Sequence, residues 1–284
     1  MDNKTVDLGD FDRPLLVFGG PYSNLAATQA MLDQAERLNI PRQRLICTGD
    51  VVAYCAEAEQ TCQLLRDSGV AVVMGNCEES LAEDLADCGC GFEPGMMCSS
   101  LAEEWYGYAR KQISTTTRQW MAELPRALSF RLNSVRFRVI HGGVSQINQF
   151  IFASTDDVIK HQQLALADVD AIIGGHCGLP FGQNWGRLAW LNTGVIGLPA
   201  NDGTQSGWYM QLTPQELAID VSWHRLEYDA TRSYQSMQQA GLQAYAGTLL
   251  TGLWPSMDVL PENERALQGK PLHPANLHIT SARS

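Results

Sequence analysis

Long apolar runs are missing from the 284-residue chain. Stretches such as AVVM at 71–74 have the length of a strand and are far too short to cross a bilayer. The first residues, MDNKTVDLGDFDRP, are polar and acidic, whereas a secretory signal needs a basic and then an apolar segment. The sequence therefore predicts a cytoplasmic protein that has no membrane partner.

Basic runs are missing as well, and the chain is acidic overall. Its 31 aspartates and glutamates outnumber 20 lysines and arginines, which gives a formal net charge of -11 at pH 7. Such a charge repels the phosphate backbone of nucleic acids unless a local basic patch or a cation compensates. We therefore expect no nucleic-acid scaffold as a partner, and a phosphorylated substrate would need a local positive charge. The sequence leaves the oligomeric state open.

Internal repeats and low-complexity linkers, which would divide the chain into several domains, are also absent from the sequence. The composition, with 45% hydrophobic and 18% charged residues, is that of an ordinary globular protein. A chain of this length is near the upper size for one hydrophobic core. We predict a single domain over residues 1–284, with a Cys- and Gly-rich helical insertion at about 80–125 and a helical C-terminal extension at about 230–284.

Strands and helices alternate in the first eighty residues of the chain. PLLVFG, RLIC and VAVVMGN are typical of buried strands, and the segments between them are typical of amphipathic helices, which indicates a parallel sheet covered by helices. Further along, ALSFRLNSVRFRVIHGG predicts a hairpin with Asn133 and Ser134 at its turn. The tail, PLHPANLHITSARS, is typical of an extended or frayed terminus. The sequence therefore predicts an α/β protein.

Four short motifs each place a polar side chain just after a hydrophobic strand. They are TGD at 48–50, GNCEE at 75–79, HGG at 141–143 and GGHCG at 174–178. Their donors are Asp50, Asn76, His141 and His176. Two imidazoles, one carboxylate and one amide oxygen suit a divalent transition metal such as Mn, Fe, Zn or Co better than Ca or Mg. We predict that these four residues bind one such ion.

The first turn between a strand and a helix, FGGPYSN at 18–24, contains no carboxylate and no imidazole. Ligands of α/β proteins are usually held in turns of this kind, at the carboxyl ends of strands. This turn offers the hydroxyls of Tyr22 and Ser23 together with backbone N–H groups at a helix N-terminus. These groups suit an anion.

In the order of these motifs the chain resembles the calcineurin-like metallophosphoesterases. Members of that superfamily carry an Asp-x-His turn, a Gly-Asp turn, a Gly-Asn-His-Asp/Glu turn, a lone His-Gly and a Gly-His-x-His turn. GDVVAYC, GNCEE, VIHGG and GGHCGLPF occupy the last four places here, and the match extends from residue 15 to about 212. The resemblance implies two facing β-sheets flanked by helices, an α/β/β/α sandwich, and a hydrolase or phosphatase site at the strand ends.

Three positions depart from the superfamily pattern, and all three belong to one of its two metal sites. Gly20 stands where the pattern has Asp, Tyr22 where it has His, and Gly178 where it has the final His. The ligands of the other metal are retained. The resemblance therefore implies a mononuclear site, in which a substrate phosphate oxygen or a water takes the position of the lost ion. The substrate-binding residues predicted on this basis are Gly20, Tyr22, Ser23, Asn24 and Gly178.

Cys77 stands where the superfamily pattern has its catalytic histidine. Some small phosphodiesterase relatives resemble this chain in carrying GNC at the same turn, so the change does not by itself abolish activity. Two acidic residues, Glu78 and Glu79, follow it. One of them either orients a neighbouring group or lies in solvent at the start of a helix. The catalytic residues that the resemblance implies are Asp50, Asn76, Cys77 and His141.

The eight cysteines are interpreted as reduced thiols, because no signal peptide is found. An alternative assigns some of them as thiolate ligands of a replacement second metal, although Cys-x-Cys is not a typical zinc spacing. The residues concerned are Cys77, Cys88, Cys90, Cys98 and Cys177.

Three further residue assignments have two interpretations each. Tyr22 either contacts the substrate or packs in the space of the lost ligands. The aromatic residues of WYGYA at 105–109 either belong to the core or stack on a nucleotide base. Asp202 is either a turn residue or the hydrogen-bond partner of a metal ligand.

The leading functional hypothesis is a metal-dependent phosphoesterase that hydrolyses a small phosphorylated molecule, either a monoester or a diester, with a single ion. A second hypothesis is a catalytically weak or inactive homologue that binds a phosphorylated ligand or a metal as a sensor. A third is a thiol and metal sensor based on Cys88 or Cys90. The sequence specifies neither the substrate nor the metal.

Overall fold

The structure is a computed structural model that describes residues 4–92 and 95–281. Its strands are β1 (Thr5–Phe11), β2 (Leu15–Phe18), β3 (Leu45–Cys47), β4 (Ala71–Val72), β5 (Ala127–Leu132), β6 (Val135–Ile140), β7 (Ala171–Gly174), β8 (Pro180–Trp185), β9 (Leu188–Thr193), β10 (Gly207–Pro214), β11 (Ala218–Leu226) and β12 (Leu277–Thr280). Its helices are α1 (Leu25–Arg37), α2 (Ala58–Ser68), α3 (Asn76–Ala82), α4 (Met97–Gln112), α5 (Thr115–Glu123), α6 (Asp157–Ala167), α7 (Thr231–Ala240), α8 (Gln243–Thr251) and α9 (Glu262–Arg265), with a 3-10 turn at Arg42–Arg44.

The strands form two six-stranded sheets that pack face to face. The first sheet has the order β1-β5-β6-β7-β9-β8, and the second has the order β12-β11-β10-β2-β3-β4. Side chains of both sheets, such as Val17 of β2 and Phe137 of β6, meet in one core between them. A larger core joins the outer face of the second sheet to α1, α2, α4, α5, α7 and α8, and a smaller one joins α6 to the first sheet. The predicted α/β sandwich of two facing sheets flanked by helices is confirmed.

Local sequence explains how the elements near the strand ends begin and turn. All four residues of β2 are buried, as expected for a strand with neighbours on both sides and side chains packed on both faces. Helix α1 begins at Asn24, whose side chain accepts a hydrogen bond from Ala27 N at 3.0 Å. The predicted hairpin is β5–β6, and Asn133 and Ser134 at its turn have φ angles of 46° and 63°. This left-handed conformation matches the twist of the two strands.

Three strands were not predicted from the sequence. β1 pairs in parallel with β5 at the edge of the first sheet, and its polar side chains stay largely exposed. β8 pairs antiparallel with β9, although its polar half reads as a loop. β12 pairs antiparallel with β11, so the tail up to residue 281 is not frayed, and Ile279 is buried in the core between the sheets. These edge strands are short or largely polar, so their apolar patterns are too weak to identify them from the sequence.

The segment between α3 and α4 contains the disulfide Cys88–Cys90. The prediction that all eight cysteines are reduced thiols is therefore wrong for this pair. The other six cysteines are buried thiols. Among the residues described, no helix combines the length and apolar character that a membrane span requires.

Candidate metal centre

The four predicted metal ligands lie together at one edge of the sandwich. Asp50 follows β3, and Asn76 is the first residue of α3, just after β4. His141 follows β6, and His176 lies two residues after the end of β7. Each sheet therefore contributes two donors, and the packing of the two sheets brings them into one cluster.

The donor atoms have the spacing of a coordination shell. His141 Nε2 lies 3.0 Å from Asn76 Oδ1, 3.0 Å from His176 Nδ1 and 3.3 Å from Asp50 Oδ2. Donors around an ion with bonds of about 2.1 Å are themselves roughly 3.0–3.4 Å apart. In the part of the chain that the structure describes, Asp50, His141 and His176 are the one group of three or more His, Cys, Asp or Glu residues that converges in this way. All are buried.

Hydrogen bonds on the far side of two ligands turn their donor atoms toward the centre. His141 Nδ1 lies 2.8 Å from Thr48 O, so this nitrogen carries the proton and Nε2 keeps its lone pair. Asn76 Nδ2 donates to Cys88 O at 3.0 Å, which directs the amide oxygen toward His141. Both side chains therefore direct a donor atom toward the candidate centre, and the donor set fits a divalent transition ion.

Glu78 connects the turn of Asp50 to the turn of Asn76. Its buried carboxylate accepts hydrogen bonds from Asp50 N at 2.8 Å, Gly75 N at 2.9 Å and Val52 N at 3.1 Å. A Cβ atom at Gly75 would lie 2.3 Å from Asp50 Oδ1, so the close approach of these turns requires glycine. Burial, and then the charge of Asp50, raises the pKa of Glu78 to about 7. Glu78 therefore orients the loop that carries a metal ligand.

The three titratable ligands influence one another strongly. Burial opposes the charge of Asp50, but the positive charge and hydrogen bond of His141 lower the pKa of this carboxyl. Burial likewise opposes the charge of His141, but Asp50 raises the pKa of the imidazole. Burial and the neighbouring charge of His141 lower the pKa of His176 to about 3. His176 is therefore neutral at physiological pH, as a metal ligand must be.

Tyr22 fills the space between the two glycines that replace ligands in the superfamily pattern. A Cβ atom at Gly20 would lie 2.7 Å from Tyr22 Cζ and 2.5 Å from Val195 Cγ1. A Cβ atom at Gly178 would lie 3.6 Å from the Tyr22 hydroxyl oxygen. Side chains at these two positions would therefore point at the tyrosine, which occupies the space where they would converge.

The backbone of this first turn is occupied by hydrogen bonds within the protein. Ser23 and Asn24 are fully buried and do not line the cavity. The Ser23 hydroxyl accepts a hydrogen bond from Ala53 N, and the Asn24 side chain accepts one from Ala27 N at the start of α1. Four of the backbone N–H groups that were expected to suit an anion already donate to a carbonyl oxygen of this turn or of the adjoining loop. These bonds are Gly20 N to Gly49 O, Tyr22 N to Asp50 O, Ser23 N to Val51 O and Asn24 N to Pro21 O.

Cys77 lies beside the metal ligands, buried and outside the lining of the adjacent cavity. Its backbone N is 3.4 Å from Asp50 Oδ1, and its sulfur is 3.5 Å from Asn76 Nδ2. Burial, and then the charge of Asp50, raises the pKa of its thiol well above the ordinary value. The thiol is therefore protonated, and the contacts of Cys77 are to metal ligands.

A cavity of about 50 Å³ opens beside Asp50 and His176. This volume exceeds the roughly 10–15 Å³ that a cavity needs to hold one water molecule. Loop residues and the segment from α8 onward build most of its wall. Of its aromatic residues, Tyr22 is the one to which the sequence assigned a site role. The aromatic residues that line it are Tyr22, Tyr54, Phe92, Phe150, Tyr245 and Trp254.

The remaining candidates from the sequence lie elsewhere. Trp105 and Tyr106 of α4 are buried in the helix-side core, which favours packing over base stacking. Asp202 accepts hydrogen bonds from Thr204 and Arg225 and organises its own loop. Since two of the five candidate thiolates form a disulfide, they are not available as ligands of a replacement metal.

The motif order and the geometry above agree with a comparison against protein families. A family model described as the calcineurin-like phosphoesterase superfamily domain matches residues 22–215. The chain belongs to this superfamily. The match ends within the loop after β10, so α7, α8 and the segment that carries Trp254 lie outside the residues that the family model matches.

Three individual proteins are distantly similar to this chain. An uncharacterised protein of Methanocaldococcus jannaschii is 23% identical over 255 residues, which cover 83% of this chain and 96% of that protein. A metallophosphoesterase from Sphaerobacter thermophilus has 20% identity and a TM-score of 0.65, covering 86% of this chain and 100% of that one. A hypothetical protein from Pyrococcus horikoshii has 14% identity and a TM-score of 0.70, covering 85% and 99%. These structures share the fold.

Proposed function

We propose that this protein hydrolyses a small phosphorylated molecule with one divalent transition metal ion, Mn, Fe, Zn or Co. The observation that carries the proposal is the convergence of Asp50, Asn76, His141 and His176 with the spacing of a coordination shell. When bound, an ion there would act as a Lewis acid on the phosphoryl group and acidify an attacking water.

The chain's own residues supply positioning for this reaction. Thr48 and Cys88 fix the orientation of His141 and Asn76 through their carbonyl oxygens. The aromatic wall of the cavity restricts the entry of bulk water and leaves space for a group of phosphate size. The predicted catalytic role of Cys77 becomes a positioning role in this proposal, because its contacts are to the metal ligands Asp50 and Asn76.

We propose a single ion because of what surrounds Tyr22. A second ion beside Asp50 would need donors at positions 20, 22 and 178, where this chain has Gly, Tyr and Gly. The tyrosine ring fills the space that side chains at Gly20 and Gly178 would enter. A cation there would retain Asp50 as its one protein ligand from the predicted set and would bind weakly.

Turnover of generic phosphoesters tests the proposal. We expect slow hydrolysis of p-nitrophenyl phosphate or its diester by Mn²⁺-loaded protein. Asp50→Asn and His141→Ala remove proposed metal ligands. Each should lower the rate by more than the roughly 10–100-fold that is typical when a hydrogen-bond partner of a metal ligand is removed. The matched controls Asp33→Asn and His273→Ala change residues away from the cavity and should leave the rate unchanged. Hydrolysis that survives both ligand substitutions would refute the proposal.

One observation favours the alternative of an inactive homologue that binds a phosphorylated ligand or a metal. The position of the superfamily's catalytic histidine holds Cys77, a buried thiol that does not reach the cavity. In this case Mn²⁺-loaded protein would bind inorganic phosphate but release no product from either ester over hours.

A further inference from the structure

Three tyrosines line the cavity beside the metal ligands. They are Tyr22, Tyr54 and Tyr245. None of their hydroxyls forms a hydrogen bond with the residues that the structure describes, whereas the hydroxyls of Tyr106, Tyr209 and Tyr228 each have a partner there. Tyr22 and Tyr245 are only 6% and 9% exposed. Tyr54 is partly exposed, and all three residues line the cavity, so their hydroxyls are free to donate hydrogen bonds to a group that it holds.

The three rings form one contiguous cluster, although they come from distant segments. Tyr54 lies in the loop after β3, and its ring centroid is 4.7 Å from that of Tyr22 and 4.5 Å from that of Tyr245 in α8. Phenols titrate near pH 10, and burial raises the pKa of all three. Each hydroxyl therefore keeps its proton and is able to donate a hydrogen bond.

The backbone at this cluster is in an unfavourable conformation. Tyr22 and Tyr54 have φ angles of 53° and 43°, and Asp50 between them in sequence has 52°. Bulky residues rarely adopt this left-handed region. Such conformations concentrate at binding and catalytic sites, where the surrounding structure holds them in place.

The charges at the cavity restrict what it can hold. Among the described residues of its lining, none is a lysine or an arginine. A phosphoryl group bound here would therefore be stabilised by the proposed metal ion and by neutral donors. Several phosphate groups on one ligand would lack countercharges, which disfavours polyphosphates.

We propose that Tyr22, Tyr54 and Tyr245 form a phosphoryl-binding site, in which their hydroxyls donate hydrogen bonds to the non-bridging oxygens of a single phosphate group held beside the metal ion. This site deepens the proposed function and rests on it. It selects esters with one phosphate group over nucleotide-like polyphosphates. The hydroxyls replace part of the charge stabilisation that a second cation would supply, without adding charge.

Binding of inorganic phosphate tests the site independently of turnover. Isothermal titration of Mn²⁺-loaded protein with phosphate is compared for the wild type, Tyr54→Phe and Tyr245→Phe. A hydrogen bond to a charged group contributes enough that each lost hydroxyl should weaken phosphate binding about tenfold or more. The metal content should not change, because neither residue is a metal ligand. Tyr209→Phe is the matched control, since its hydroxyl pairs with Gln34 away from the cavity.

The outcomes separate this inference from the proposed function. Wild-type phosphate affinity in both Phe variants, or no phosphate binding by the metal-loaded wild type, would overturn the tyrosine site. Weakened phosphate binding in protein that hydrolyses no ester would leave the site standing and refute the hydrolase. If esters are hydrolysed, the Phe variants should raise the KM for p-nitrophenyl phosphate, and an unchanged KM would also overturn the site. Thermal unfolding confirms that each variant is folded.

Discussion

At the scale of single residues, the metal ligands are held by hydrogen bonds on the side away from the metal position. Thr48 O fixes the tautomer of His141, and Cys88 O fixes the amide of Asn76. A site of this kind is formed before the ion arrives, which lowers the cost of ordering ligands on binding.

Protonation of His141 should link metal affinity to pH. Asp50 raises the pKa of His141 above the ordinary value of 6.5. In metal-free protein, the stabilisation from the charged ring is fully present below pH 6.5 and is lost as the pH rises through the raised pKa. Since a metal ligand must be neutral, Mn²⁺ affinity should show the opposite trend and increase with pH over that window.

Two measurements check this linkage. Urea unfolding of metal-free protein reports its stability from pH 5.5 to 8.5, and isothermal titration reports Mn²⁺ affinity over the same range. His273→Ala, which changes an exposed histidine, should follow the wild type in both. A pH-independent Mn²⁺ affinity would contradict the assignment of His141 as a ligand.

The residues at the site differ in how readily the sequence reveals them. Asp50 and His141 each follow a hydrophobic strand within a short Gly-containing motif, so their convergence was predictable from the carboxyl ends of strands. Tyr54 lies within GDVVAYC, but no motif assigns a role to Tyr54 or Tyr245, because their meeting depends on the path of a loop and the docking of α8. Aromatic residues in such positions read as ordinary core residues.

At the scale of elements, the Glu78 carboxylate connects the turn of Asp50 to the turn of Asn76 by accepting hydrogen bonds from both. We therefore expect it to contribute to the free energy of unfolding. In Glu78→Gln an NH₂ group replaces one of the two oxygens that accept backbone N–H bonds, so a buried donor would lose its partner. We expect a loss of about 1–3 kcal/mol in the free energy of unfolding. The neighbouring Glu79→Gln breaks only a partly exposed ion pair with Arg126 and should cost less than about 1 kcal/mol. Equal losses in urea unfolding would contradict the role of Glu78.

The last strand should contribute to the core in the same way as internal strands. Ile279 of β12 is 0% exposed between the two sheets, whereas Thr280 faces solvent. Ile279→Ala should therefore cost about 2–5 kcal/mol of unfolding free energy, and Thr280→Ala should change it by no more than about 0.5 kcal/mol. A frayed terminus would instead make both substitutions neutral in urea unfolding.

The elements that the sequence predicted well are those with a clear hydrophobic period. β2 and α1 are examples, because apolar residues occupy most of their buried positions. β1, β8 and β12 are positioned by pairing with a neighbouring strand through backbone N–H and C=O groups. Because such groups are common to all sequences, this pairing leaves no pattern that identifies the strands. Their positions depend on the assembled sheets.

At the scale of the whole molecule, the candidate centre exists only where the two sheets meet. Each sheet supplies two of the four donors, and the segment after β11 closes the cavity with Tyr245 and Trp254. This segment lies outside residues 22–215, which the family model matches. Metal binding should also stabilise the packed sandwich, since the unfolded chain lacks the assembled site.

The metal content per chain tests the central claim most directly. Elemental analysis of protein purified without a metal-affinity tag should find one equivalent of a divalent transition metal in the wild type and in His273→Ala. His176→Ala removes one of the four donors and should lose most of that metal. Two equivalents in the wild type, or a full equivalent retained by His176→Ala, would contradict a single ion held by Asp50, Asn76, His141 and His176.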